Sequence, residues 1–120
     1  MTIENCYQLL GGDYKSTASR FPREGMLVKY LSKFLEDDSF ENLTCAIDAK
    51  DKEAAFRCAH TIKGVSLNLG LESLARSASD LTEKLRSEES VIDEEAEALF
   101  GCVCEEYKTT VDVLKAYLSE

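Results

Sequence analysis

Ala59-His60-Thr61-Ile62-Lys63-Gly64-Val65-Ser66, closed by Leu67-Asn68-Leu69-Gly70, holds the only histidine of this 120-residue chain. At about 100° per residue, the segment from Asp51 to Leu69 divides into two helical faces. Ala55, Cys58, Ile62, Val65, Ser66 and Leu69 gather on a small or apolar side. Glu53, Phe56, Arg57, His60, Lys63, Gly64 and Leu67 gather on the opposite side. The spacing predicts a helix with Asp51 as N-cap, Glu53 in the first turn where the macrodipole favours an anion, and Gly70 as its stop. His60 then points away from the core that its own helix builds. Lys63 and Gly64 occupy the two positions that neighbour it on the helix surface.

Gly64 is out of place on propensity alone. A glycine inside a helix costs roughly 1 kcal/mol against alanine. Here it removes side-chain bulk one turn from His60 and leaves the ring open to a large group. Lys63 sets a mobile cation beside the same ring. An exposed nucleophilic ring, a cation suited to an anionic group and cleared space together point to a phosphoryl acceptor. Histidine ordinarily titrates near about pH 6.5, so close to neutrality much of the ring is uncharged and one nitrogen keeps a free lone pair.

Outward from this segment, the chain reads as helices throughout. Thr2 caps a short helix bearing Ile3, Tyr7 and Leu10, stopped by Gly11-Gly12. Asp13 caps a second short piece through Ser19. After Phe21, a helix from Pro22 to Glu36 carries Met26, Leu27, Tyr30, Leu31, Phe34 and Leu35 as an apolar stripe. Ser39 caps a short helix with Phe40, Leu43 and Ile47. Past Gly70, the stripe Leu71, Leu74, Ala75, Ala78, Leu81 and Leu85 makes an antiparallel hairpin with the histidine helix. Ser87-Glu88-Glu89 is a polar connection. Ser90, with Asp93 three residues on, forms a capping-box pattern for a last helix bearing Ile92, Ala96, Leu99, Val103, Tyr107, Leu114 and Leu118. No segment alternates as a strand. The expected class is all-α, an antiparallel four-helix bundle with short additional N-terminal helices, in one domain over residues 1–120.

The net charge of −9 argues against nucleic acid as a partner. Its distribution is uneven: residues 1–50 carry −2, residues 51–76 carry +1 and residues 77–120 carry −8. The histidine helix is therefore the least acidic part of an acidic protein, which suits a phosphate. No apolar run reaches the ~20 residues of a membrane span, and no basic-then-apolar leader opens the chain, so no membrane partner and a cytoplasmic location are expected. Monomer is the expected state, because no heptad seam extends beyond what one bundle consumes. The five cysteines Cys6, Cys45, Cys58, Cys102 and Cys104 lack a disulfide framework and are expected to be reduced. Cys102 and Cys104 diverge around a helix, as do Cys58 and His60, so no metal site is expected. Neither a glycine-rich loop nor another nucleotide motif is present, so the chain is not expected to be a kinase.

The run His60-Thr61-Ile62-Lys63-Gly64-Val65-Ser66 with Leu69-Gly70 resembles the signature of histidine-containing phosphotransfer (HPt) domains. The length and helix pattern extend that resemblance over essentially the whole chain. It implies a phosphorelay intermediate, a phosphocarrier and not an enzyme with its own nucleotide site. His60 would take a phosphoryl group from a receiver-domain phospho-aspartate, or from a kinase relay, and pass it to another receiver aspartate. The implied partners are response-regulator receiver domains or a hybrid histidine kinase. No cofactor would be bound by this chain; Mg²⁺ would come with the receiver.

Lys63 would support the phosphoryl charge and Gly64 would give steric clearance. Phe56, Arg57 and Leu67 flank His60 as a docking patch, although Phe56 serves equally well as packing. Across the hairpin, Asp80 to Thr82 fall level with His60, and Thr82 and Arg86 share an edge. Many HPt domains place a ring-orienting glutamine where Thr82 falls, and threonine is shorter. Arg86 offers a second cation. A rival reading is a non-phosphorylated interaction module using the Phe56/His60/Leu67 face; simple binding needs none of His60, Lys63 and Gly64. A metal- or redox-linked bundle using the cysteines is a third.

Overall fold

The computed structural model describes residues 1–87 and 91–120. They form α1 (Ile3–Leu9), α2 (Tyr14–Arg20), α3 (Glu24–Glu36), α4 (Ser39–Asp48), α5 (Lys52–Asn68), α6 (Glu72–Leu85) and α7 (Glu94–Leu118), with no strand among them. The starts of α1, α2, α5 and α7 carry side-chain caps that satisfy otherwise unpaired N–H groups, whereas the cap residues of α3, α4 and α6 make no such bond. Thr2 and Asn5 form a reciprocal capping box, and Asp13, Asp51 and Asp93 accept from Ser16, Ala54 and Ala96 respectively.

α4 packs on α5, α5 on α6 and α6 on α7. The ring of four closes through Phe40 of α4, stacked at 4.0 Å on Tyr107 and at 6.3 Å on Phe100 of α7. Phe34 brings α3 onto Tyr107 at 5.8 Å. Offset aromatic pairs of this kind each add about 0.5–1.5 kcal/mol beyond the area they bury. The molecule measures 43 × 24 × 19 Å. At ~1.5 Å per residue the 25-residue α7 spans nearly all of the long dimension. This is the all-α four-helix bundle with added N-terminal helices that the periodicity predicts.

Some local expectations change. α3 begins at Glu24 with Arg23 as its cap residue, leaving Pro22 outside. Its buried face is Leu27, Leu31 and Phe34, while Met26 and Tyr30 of the expected stripe are 46% and 41% exposed. Only one side of α3 meets α7, and Met26 and Tyr30 lie off that side. Asp38, not Ser39, is the N-cap of α4; the Asp37 carboxylate accepts the Ser39 N–H at 2.8 Å. The expected Ser90 capping role lies outside the described residues, and Asp93 itself caps α7. On α5 the buried residues are Ala55, Ala59, Ile62 and Ser66. Ala59 joins the core because α5 is flanked by both α4 and α6, which widens its inner sector. Cys58 and Val65 are only half-buried.

The C-terminal end of α5 is held by the N-terminal helices. Helix ends leave carbonyls without partners. Here the Tyr7 hydroxyl donates to the Leu69 carbonyl at 2.6 Å, and the Asp13 N–H donates to Gly70 at 3.1 Å. The Arg20 guanidinium donates to Leu67 at 3.1 Å and to Asn68 at 2.9 Å, a cation where the helix dipole is negative. Gly70 adopts φ +70°, and a Cβ there would lie 1.8 Å from the Thr17 hydroxyl oxygen. Glycine is thus required twice over at this stop, by backbone conformation and by the close approach of α2.

Candidate functional site

His60 is exposed on the outer face of α5. Successive residues turn by about 100°, so Phe56, Lys63 and Leu67 line the same strip as His60, on the side bordering α6. The Phe56 and His60 rings meet edge to face at 6.0 Å. Phe56 is half-buried and packs on the core, and the Arg86 guanidinium carbon from the end of α6 lies 5.5 Å from its ring centre. Of the two roles open to Phe56, packing therefore holds at least in part, and its cover comes from α6. Arg86 is brought to the aromatic ring that His60 also touches.

Lys63 is half-buried and Leu67 is 52% exposed. The two form one wall of a groove of about 330 Å³ whose other wall is Glu72, Ala75, Arg76, Ser79 and Asp80 of α6. Gly64 faces open space: a Cβ there would meet nothing within 4 Å. The glycine is therefore not demanded by packing in this chain, and it is not demanded by backbone conformation either, since it lies within a regular helix. Arg57 is exposed beyond Gly64, and its carbonyl accepts the Thr61 hydroxyl at 3.0 Å.

Thr82 faces the core. It is fully buried, and its hydroxyl donates to the Ala78 carbonyl at 2.7 Å. The shared edge expected for Thr82 and Arg86 does not hold, since Thr82 is buried and Arg86 is exposed. At that height α6 turns Thr82 inward, and the next residue, Glu83, faces out beside Arg86. Glu83 escaped the sequence reading, although its spacing three residues before Arg86 is the pattern of a helical ion pair. The Arg86 guanidinium donates to the Glu83 carboxylate at 2.9 Å and 3.2 Å. That hydrogen bond, with the Arg86 and Lys63 charges behind it, holds the Glu83 carboxyl below the usual carboxylate range.

The site therefore consists of an unobstructed imidazole, cations from both helices of the hairpin, an acid between those cations, and an apolar rim of Phe56 and Leu67. The five cysteines are unpaired, and burial pushes the Cys6, Cys58 and Cys104 thiols up. Among the described residues no group of three or more His, Cys, Asp or Glu side chains is placed to hold a metal ion, and no helix is long and apolar enough to cross a membrane.

No curated protein and no solved structure matches the chain. A family model described as the Hpt domain matches residues 29–119, about three quarters of the sequence, from within α3 to the end of α7. The matched segment contains the whole bundle, with His60, Lys63 and Arg86. The chain belongs to the Hpt domain family, the helical phosphocarriers of two-component phosphorelays.

Proposed function

We propose that His60 is the phosphoryl acceptor and donor of a phosphorelay, loaded from a receiver-domain phospho-aspartate or a kinase relay and discharged to another receiver aspartate. The supporting observation is the open side of His60. The ring is exposed, the adjacent Gly64 position is empty of contacts, and the flanking α5–α6 edge carries Lys63 and Arg86. In the forward step, the unprotonated ring nitrogen donates its lone pair to phosphorus. The bond from phosphorus to the aspartyl oxygen breaks, and its electron pair leaves with the carboxylate. The other ring nitrogen keeps its proton throughout.

A dissociative phosphoryl transfer asks mainly for position and charge compensation. The bundle fixes His60, and Lys63 offsets charge on the phosphoryl oxygens. Gly64 leaves room for the incoming aspartyl phosphate, and the Phe56–Leu67 rim with Arg57 meets the partner. Mg²⁺ belongs on the receiver side of that complex. The experiment is transfer from a panel of phosphorylated receiver domains with Mg²⁺. Acid-labile, alkali-stable label should appear on the wild type and be abolished by His60→Gln. If binding persists while no receiver labels the protein, the interaction-module reading takes its place.

A further inference from the structure

The two cations of the site are not equivalent. Lys63 stands beside His60 on α5 itself, whereas Arg86 comes from α6 and is engaged elsewhere. Its guanidinium makes three hydrogen bonds to Glu83, at 2.9, 3.2 and 3.2 Å, while resting against the Phe56 ring that touches His60. The Arg86 and Glu83 side chains are 52% and 58% exposed. A pair so open to water contributes little to stability, so it is easily exchanged. We infer that Glu83 is a positioning residue that holds Arg86 in reserve and thereby sets how strongly this protein retains a phosphoryl group; this rests on His60 being the acceptor.

The physical basis is competition for one guanidinium. The Glu83 carboxylate carries one negative charge. A phosphoryl group on His60 would carry close to two, with three acceptor oxygens, and guanidinium binds such groups through paired N–H bonds. On phosphorylation Arg86 is drawn from Glu83 towards the phosphoryl group, pivoting beside Phe56. Glu83 opposes the exchange in two ways: it competes for Arg86, and its own charge disfavours a dianion nearby. A carboxylate here therefore weakens retention and favours release to the next receiver. A neutral side chain would leave Arg86 free to clamp the phosphate.

The test uses full-length protein and the first receiver that labels it, with Mg²⁺, and measures the equilibrium ratio of label on the two proteins. Glu83→Gln should shift that ratio towards phospho-His60 by about two- to fivefold, a range set by exposed charge pairs. In an Arg86→Ala background the same change should produce less than half of that shift. Glu105→Gln, an exposed acid on α7, controls for net charge and should leave the ratio unchanged. Both side chains of the pair are on the surface, so folding is not at stake. An unchanged ratio in Glu83→Gln, an equal shift without Arg86, or an equal shift from Glu105→Gln overturns the inference while leaving His60 as acceptor. If no receiver labels the wild type, the acceptor reading falls and the inference falls with it.

Discussion

The Tyr7 hydroxyl donates to the Leu69 carbonyl at 2.6 Å, joining α1 to the last turn of the histidine helix across 62 residues of sequence. Tyr7 is 1% exposed, so its removal leaves a buried carbonyl without this donor. Tyr7→Phe should cost about 1–2 kcal/mol. In thermal unfolding that is a fall of several degrees in Tm, about 4 °C per kcal/mol for a chain of this size. No fall would mean that α1 does not brace α5. Burial above all, and then the neighbouring Cys6, push the Tyr7 hydroxyl well above its ordinary value of 10.0. A raised phenol favours the neutral form in the fold, so its contribution is complete below about pH 10 and is lost as pH rises beyond it. Wild type should therefore lose more stability between pH 9 and pH 11 than Tyr7→Phe does, measured by denaturant titration.

Gly70→Ala tests the same junction from the other side. The φ of +70° costs a non-glycine residue about 1–2 kcal/mol, and the new methyl would sit 1.8 Å from the Thr17 hydroxyl oxygen. A loss of about 2–4 kcal/mol is expected, at the upper end of single substitutions. Thr17→Ala removes the oxygen that clashes. The double variant should then be more stable than the sum of the two single effects allows. Strict additivity would show that backbone strain alone accounts for the loss.

Ser66 offers the opposite sign. It is fully buried on the inner face of α5, and its hydroxyl is the one buried side-chain oxygen among the described residues without a hydrogen-bond partner. Burying an unpaired hydroxyl is unfavourable, and alanine is the better helix former. Ser66→Ala should raise stability by about 0.5–1 kcal/mol, seen as a higher denaturant midpoint at unchanged slope. A lower midpoint would reveal that the hydroxyl has a partner, such as a buried water.

What the sequence disclosed was whatever is local along one helix. Asp51 and Gly70 bound α5 because a cap and a left-handed stop are read from neighbouring residues. The stripe Leu71 to Leu85 is buried as its spacing requires, since α6 has one continuous inner face. The misses concern the relation between helices. A helical wheel states the angle between Thr82 and Arg86 but not which of the two points at α5, and the answer placed Thr82 in the core and Glu83 at the site. Nor does any local pattern mark Tyr7, Asp13 and Arg20 as donors to the end of α5. Those bonds link residues 47 to 62 positions apart, and they depend on how α1 and α2 fold back.

Gly64 separates function from stability most directly. A methyl group there meets nothing within 4 Å in this chain, and the same holds at Gly101 on the exposed side of α7. Glycine inside a helix costs up to about 1 kcal/mol relative to alanine, so Gly64→Ala and Gly101→Ala should each stabilise the fold by about 0.5–1 kcal/mol. Their effects on transfer should diverge. The Gly64 methyl would project beside the open face of His60, where, in the proposed transfer, the aspartyl phosphate would approach in line. A displacement of a fraction of an ångström there should slow transfer by about tenfold or more. Gly101→Ala should transfer at the wild-type rate. Equal rates for the two variants would remove steric clearance as the reason for glycine at position 64. A stabilised but slow Gly64→Ala would show that the propensity lost at this position serves the partner and not the bundle.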